Sequence, residues 1–281
     1  MCIRDRRYPE YKATREKMPE EMIEQLPFLW NILDSMDIPL LEEPGFEADD
    51  IIGTLATQAS KKGLDVYIVS GDKDFMQLIN DKIFLYAPSG RQADIKIYDK
   101  QGVEDKWGVP PEKIIDLLGL MGDSSDNVPG VMGVGEKTAV KLIQEYGSLE
   151  ASLENANNVK NKRAREGLLN SKENAILSKE LVTIETQMDL RINLSDLNTN
   201  NIKKESLAEI FQELEFESLT KQILGVKASS APKKDRPKKN YSNLMDENEI
   251  TAFVKNVDED CWLSFDIETT SLDPMSCDVV G

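Results

Sequence analysis

An α/β fold with a parallel sheet, followed by a helical region, is what this sequence predicts, and three observations predict it. A helical apolar period closing at Gly63 runs directly into the β-branched run LDVYIVS. An acidic turn, Gly71 to Asp74, follows that strand and leads into further apolar periods. After a second pair of strand-like runs, IFLYA and DIKIY, only helical periods remain as far as a basic, proline-containing stretch. Helix, strand, acidic turn and helix in this order are the signature of an α/β layer, and ligands in such sheets gather at the carboxyl ends of strands.

Taken in chain order, the opening MCIRDR offers neither a cap nor an apolar period and reads as the ragged edge of a fragment. From Pro19 the positions Met22, Ile23, Leu26, Leu29, Trp30, Leu33 and Met36 keep helical spacing, and Pro27 is expected to kink that helix. A second helix starts near Glu47, runs through Ile51, Ile52, Leu55 and Ala59, and stops at Gly63. After the strands come PPEKIIDLLGLMG, EKTAVKLIQEYG, a Lys/Asn-rich helix pair near residues 159–184, and KKESLAEIFQELEF. Residues 227–243 carry six Lys or Arg against one Asp between Lys227 and Lys239, with two prolines and no apolar period, and read as a solvated linker. Beyond it the helix DENEITAFVKNV leads to a strand, CWLSFDIETTSL, which is too little to bury a core and reads as the start of a cut second domain. The expected division is 1–122, an α/β core; 123–226, a helical part; 227–243, the linker; and 244–281, the truncated domain.

A chain of 281 residues with 40% hydrophobic content fills one large domain and part of another. No apolar run reaches the roughly 18 residues that a membrane helix needs, and no secretory signal is present, so the protein is expected in the cytoplasm. Cys2, Cys261 and Cys277 form no CxxC and read as free thiols. With no His in the chain, catalysis must run on carboxylates, Lys, Tyr or metal-bound water. The formal charge of −17 speaks superficially against a nucleic-acid partner, but it is a whole-chain sum that hides local basic segments such as YKATR.

Seven carboxylates in three clusters point to chemistry: Glu47, Asp49 and Asp50 in FEADD, Asp72 and Asp74 in SGDKDF, and Asp123 and Asp126 in MGDSSDN. If they converge they need a cation, because each raises the pKa of the next. Oxygen donors without His or Cys suit Mg²⁺ or Mn²⁺, and such a site suits phosphodiester hydrolysis. On a helix Glu47 and Asp50 share a face and can both point at one ion, with Asp49 offset. Singly, each cluster also has an ordinary reading as helix N-terminal charge, turn former or cap. In NVPGVMGVGEKTAVKLI, a hairpin on Gly133-Val134-Gly135 opens a helix at Glu136, the helix-hairpin-helix pattern in which backbone N–H groups face a phosphate.

These motifs, YKATR, FEADD, SGDKDF, LMGDSSDNVPGVMGVGEKTA and FDIETTSLD in this order, closely resemble the bacterial DNA polymerase I family over about residues 8–281. The resemblance covers most of that family's 5′ nuclease domain and the first strand of its ribonuclease-H-like 3′→5′ exonuclease domain. It implies a flap endonuclease and 5′→3′ exonuclease acting on DNA with 5′ flaps, nicks or RNA primers, with Mg²⁺ (or Mn²⁺) at the carboxylates and K⁺ at the helix-hairpin-helix, working as a monomer. It assigns the seven carboxylates as metal ligands, Lys12 and Arg15 to contact with the scissile phosphate at the base of an arch, and Gly133, Gly135, Lys137 and Thr138 to duplex binding. Tyr11 is expected to stack on a base. Asp266 and Glu268, two apart on the last strand, resemble the first metal motif of the proofreading exonuclease. The family places two further metal-binding Asp residues on strands upstream of residue 1, so the expectation for this segment is weak or no nuclease activity. Two rival readings are a non-catalytic helix-hairpin-helix DNA-binding module, whose binding would persist in chelator, and a ribonuclease-like or phosphatase enzyme, against which the hairpin and the basic linker argue.

Overall fold

The computed structural model describes residues 2–89, 94–199, 201–225 and 246–257, together with 244, 266, 268–271, 276 and 278. The chain divides into two compact units, Met1–Val226 and Lys227–Gly281. No helix among the described residues is long and apolar enough to cross a membrane.

The first unit opens differently from the ragged start expected of it. Helix α1 (Ile3–Arg7) is capped by the Cys2 sulfur, which accepts from the Arg4 N–H, while Asp5 accepts from the Cys2 N–H at 2.8 Å. A thiol is an uncommon cap, and the pattern was invisible because the usual signal is a Ser, Thr, Asp or Asn. The single kinked helix expected from Pro19 is two helices, α2 (Glu20–Ile23) and α3 (Leu26–Ser35). Pro27 lies in the first turn of α3, where its missing N–H removes no intrahelical bond, so it starts a helix instead of bending one. Helix α4 (Ala48–Lys61) follows the expected course: Glu47 is its extended N-cap, and Gly63, at φ +83°, takes the left-handed turn after its end.

Strand β1 (Val66–Val69) pairs parallel with β2 (Ile83–Ser89), and β2 pairs antiparallel with β3 (Asp94–Tyr98). The sheet is thus mixed, not parallel throughout, and the reason is connection length. A short link between β2 and β3 permits only an antiparallel pair, whereas β1 reaches β2 through a crossover containing the 3₁₀ helix Lys73–Leu78. Register places Ile68, Ile83, Leu85 and Tyr98 on the buried face. The opposite face carries the exposed Tyr67, Val69, Ile95 and Ile97.

The core lies under the buried face of the sheet and continues into the helices. Phe75 and Met76 of the 3₁₀ helix meet Val103 and Trp107 of α5 (Lys100–Trp107), with the Trp107 indole N–H donating to the Met76 sulfur at 3.0 Å. Helix α6 (Ile114–Met121) buries Leu117, Leu118 and Leu120 and packs on α7 (Glu136–Tyr146), α8 (Leu149–Glu154) and α10 (Lys172–Val182). Helix α9 (Lys162–Asn170) completes the group, and α11 (Lys204–Glu213), followed by α12 (Glu217–Leu224), packs on α3. In the second unit α13 spans Glu247–Lys255, capped by Asp246. The linker and most of the strand expected around CWLSFDIETTSL lie outside the described residues.

Candidate active site

At the carboxyl end of β1 the chain turns through Ser70 and Gly71, and the Ser70 hydroxyl accepts from the Asp72 N–H at 3.0 Å. Asp72 then caps the 3₁₀ helix by accepting from the Asp74 N–H at 2.9 Å. This tight turn leaves Asp72 exposed and carries Asp74 inward, where one carboxylate oxygen, Oδ1, is buried without a hydrogen-bond partner. Burial, reinforced by the nearby charges of Asp72, Asp123 and Asp126 and opposed by Lys73, pushes the Asp74 carboxyl up to about 7. Asp49 in the first turn of α4 is likewise raised, by burial first and then by Asp72 and Glu47. These couplings put six carboxylates from three distant stretches of sequence into one shared field.

Glu47 faces the segment that carries Tyr11 and Lys12. Its Oε1 accepts from the Lys12 ammonium at 2.5 Å and its Oε2 from the Tyr11 hydroxyl at 3.2 Å. Lys12 itself sits at φ +56°, and its backbone N–H donates to the Asp126 carbonyl at 2.9 Å. Arg15 donates to Asp126 Oδ1, at 3.0 Å through Nε. The Asn127 amide reaches back to the Glu10 carbonyl at 2.7 Å, so residues 10–15 are laced to the loop after α6. Tyr11 is only 7% exposed and belongs to the core. It therefore has no free ring face for a base, and its expected stacking role gives way to one of positioning Glu47.

Asp50 also departs from expectation. It is fully buried and its acceptor positions are taken: by Arg4 through both oxygens at 2.7 and 2.8 Å, by the Glu185 N–H at 2.9 Å and by the Glu47 N–H at 3.1 Å. Arg4 also donates to the Leu181 and Thr183 carbonyls, which ties α1 and α4 to the end of α10. Burial would raise Asp50, but Arg4 and the two backbone donors hold it below the usual carboxylate range. In this structure Asp50 thus anchors α4 to α1 and to the segment after α10. Arg4 was the partner missed, and no local signal pointed to it.

The third cluster sits in the loop between α6 and α7. Asp123 pairs its backbone with Val128 and accepts from the Ser125 N–H and hydroxyl on Oδ1 and from Lys73 at 2.5 Å on Oδ2. Partial burial would raise its carboxyl, but Lys73 and Ser125 hold it below the ordinary value. Arg4 thus pairs with Asp50 and, at 3.5 Å, with Glu47; Lys12 pairs with Glu47 and, at 3.8 Å, with Asp126; Arg15 pairs with Asp126 and Lys73 with Asp123. Asp49, Asp72 and Asp74 have no cation of their own. Among the described residues no three acidic side chains are preassembled close enough to cage an ion.

Beyond this loop the chain makes a tight turn, with the Val134 N–H donating to the Val131 carbonyl at 3.0 Å, and enters α7 with Gly135 as N-cap. Gly133 lies at φ +82°, and a Cβ there would stand 2.6 Å from the Arg163 side chain. Gly167 of α9 lets the turn settle on that helix, since a Cβ would stand 1.9 Å from the Met132 carbonyl oxygen. In the first turn of α7 the Thr138 N–H donates to the Gly135 carbonyl at 2.9 Å, Lys137 is exposed, Thr138 is partly buried, and Met132 at the tip is 76% exposed. Asp266 and Glu268 lie in the second unit and are exposed.

A small mixed sheet presenting an acidic cluster at a strand end, continued by a helical domain with a glycine turn, is the build of a resolvase-like nuclease domain joined to a SAM-like one. Residues 1–108 match the family described as 5′-3′ exonuclease, N-terminal resolvase-like domain, and residues 109–205 match 5′-3′ exonuclease, C-terminal SAM fold. The chain belongs to the 5′-3′ exonuclease family. It is 44% identical over 216 residues to DNA polymerase I of Bacillus subtilis (strain 168), an alignment covering 77% of this chain and 24% of that protein. The thermostable DNA polymerase I of Thermus filiformis is 38% identical over 235 residues, 84% of this chain and 28% of that protein. The chain therefore spans about a quarter of the length of these relatives. In fold it is similar to the T5 5′-exonuclease solved with divalent zinc ions, at a TM-score of 0.57 and 22% identity, covering 74% of this chain and 79% of that one. The catalytic core of Rad2 solved with a DNA substrate superposes at a TM-score of 0.51 and 18% identity over 75% of this chain and 70% of that one.

Proposed function

We propose that this chain is the 5′→3′ exonuclease and flap endonuclease segment of a bacterial DNA polymerase I, hydrolysing DNA phosphodiesters in replication and repair with Mg²⁺ (or Mn²⁺). The observation that carries the reading is the buried, unpartnered Oδ1 of Asp74 within a field shared by carboxylates of all three clusters. An oxygen-only donor set with that much uncompensated charge suits a hard divalent cation. Asp49, Asp72 and Asp74, which have no cation of their own, would hold it, with Glu47, Asp123 and Asp126 at its border. Such an ion supplies a water of lowered pKa and stabilises charge on the leaving oxygen. Lys12 and Arg15, at the edge of the cluster, contact the scissile phosphate and balance the charge that develops on it. Tyr11 and Asp126 orient Glu47, Lys12 and Arg15 by the bonds described above.

The turn around Gly133 and Gly135 reads as a helix-hairpin-helix that grips the duplex backbone through N–H groups, with Lys137 and Thr138 beside it and K⁺ as its ion. The substrate is DNA with 5′ flaps, nicks or RNA primers, and the protein acts as a cytoplasmic monomer, since one copy carries every residue invoked. The domain division at 122, 226 and 243, and Asp266 with Glu268 as the first metal pair of a 3′→5′ exonuclease domain, belong to the same reading. The internal ion pairs of the cluster favour one rival, a DNA-binding module whose carboxylates are structural. Cleavage of a 5′-flap duplex by the intact parent protein separates the two, since this segment alone is expected to cut weakly or not at all: with Mg²⁺, Asp72→Ala combined with Asp74→Ala in the parent should abolish cutting while flap binding survives. Cutting that persists in the double variant or in chelator would remove the carboxylates from the mechanism.

A further inference from the structure

We propose that Lys73 is a resident counter-ion of the cluster, holding Asp123 while no metal is bound and giving way when a divalent cation enters. This rests on the metal-dependent reading above. Lys73 stands between Asp72 and Asp74 in sequence, yet its ammonium crosses to Asp123 Oδ2, from 50 residues further along the chain. It thereby joins the strand-end turn, which carries Asp72 and Asp74, to the loop after α6.

The pair is built to exchange. Lys73 keeps 31% of its side chain exposed, so its head has a path to water, whereas Arg4 on Asp50, at 7%, is enclosed and fixed by two further carbonyls. An ammonium on a flexible stem is a mobile point charge with rotatable donors, unlike a guanidinium fork. Asp123 also keeps its shape without Lys73, because Oδ1 remains bonded to the Ser125 N–H and hydroxyl and its backbone remains paired with Val128. Displacement therefore frees one carboxylate oxygen without unravelling the loop. A divalent ion brings two charges where Lys73 brings one, and three neighbouring carboxylates still lack a cation, so the exchange favours the metal.

Mn²⁺ binding to the whole 281-residue chain, by calorimetry, and melting temperature in chelator and in saturating Mn²⁺ test this in Lys73→Gln and Lys73→Arg. Lys73→Gln should bind Mn²⁺ about tenfold more tightly and melt lower than the parent in chelator, with the gap closing when Mn²⁺ is saturating. Lys73→Arg, whose fork grips Asp123 more firmly, should bind Mn²⁺ about threefold more weakly, and it keeps the test open should the Gln variant not fold. Unchanged or weaker Mn²⁺ binding by Lys73→Gln, a melting loss equal with and without metal, or unaltered binding by Lys73→Arg would overturn the inference. Absence of Mn²⁺ binding by the unmodified chain would instead overturn the metal-dependent reading itself, and this inference with it.

Discussion

Replacing Asp74 by Asn should make the metal-free protein more stable at pH 8, an unusual outcome for a residue placed in a reaction centre. The magnitude follows from the Asp74 carboxyl, pushed up to about 7 in the folded chain against an ordinary 3.8. At about 1.4 kcal/mol per pH unit, that difference corresponds to about 4 kcal/mol of strain in the ionised folded state. The sign is fixed by proton binding. Between pH 4 and 7 the folded protein holds a proton on Asp74 that the unfolded chain has released, so the stability contributed by this group falls as pH rises through that window and levels off above it. Asn cannot ionise and so escapes the penalty, at the cost of whatever its amide fails to satisfy where Oδ1 now has no partner. Urea denaturation in chelator at pH 4 and pH 8 reads the effect. The two proteins should be about equally stable at the lower pH, and the variant more stable by about 2–4 kcal/mol at the higher. Equal stability at pH 8, or a variant that is less stable there, would refute the argument that Asp74 is a buried, electrostatically strained carboxylate.

Arg4→Met removes the partner of a carboxylate that is fully buried, and should destabilise the chain by about 3–5 kcal/mol in urea denaturation, with Asp50→Asn recovering part of the loss in the double variant. Tyr11→Phe loses the hydroxyl bond to Glu47 and should cost about 1 kcal/mol in the same assay; Tyr11→Leu, which removes the ring, should leave single-strand affinity unaltered, and a fall in affinity there but not in Tyr11→Phe would restore the stacking role. Lys137→Ala should weaken duplex binding evenly across sequences and lower the slope of log affinity against log salt by about one, as measured by fluorescence anisotropy over a salt series.

Local signals in the sequence were reliable where local physics decides the outcome. The reach of α4 from Glu47 to Gly63, the strand ending before Asp72, and the left-handed Gly133 each follow from capping, β-branching or the missing Cβ. What could not be read were the tertiary partners. Spacing put Glu47 and Asp50 on neighbouring positions of one helix but gave no hint that Asp50 would meet Arg4, 46 residues away, and face inward. The Tyr11 ring looked available because nothing nearby announces its burial, which comes from packing against distant core residues. Pro27 suits both a kink and a first turn, and only the break after Ile23 selects the second. The antiparallel β3 was missed because alternation marks a strand and says little about its direction.

The carboxylates around Asp74 are proposed to form a divalent-metal centre. Mn²⁺ titration of the chain followed by the paramagnetic resonance of free ion tests it most directly, comparing the unmodified protein with the Asp72→Asn, Asp74→Asn pair. Saturable Mn²⁺ binding is expected, reduced at least tenfold by the paired substitution, since two of the three carboxylates without a cation are then lost. Saturable binding left intact by the pair, or no binding by the unmodified chain, would contradict it.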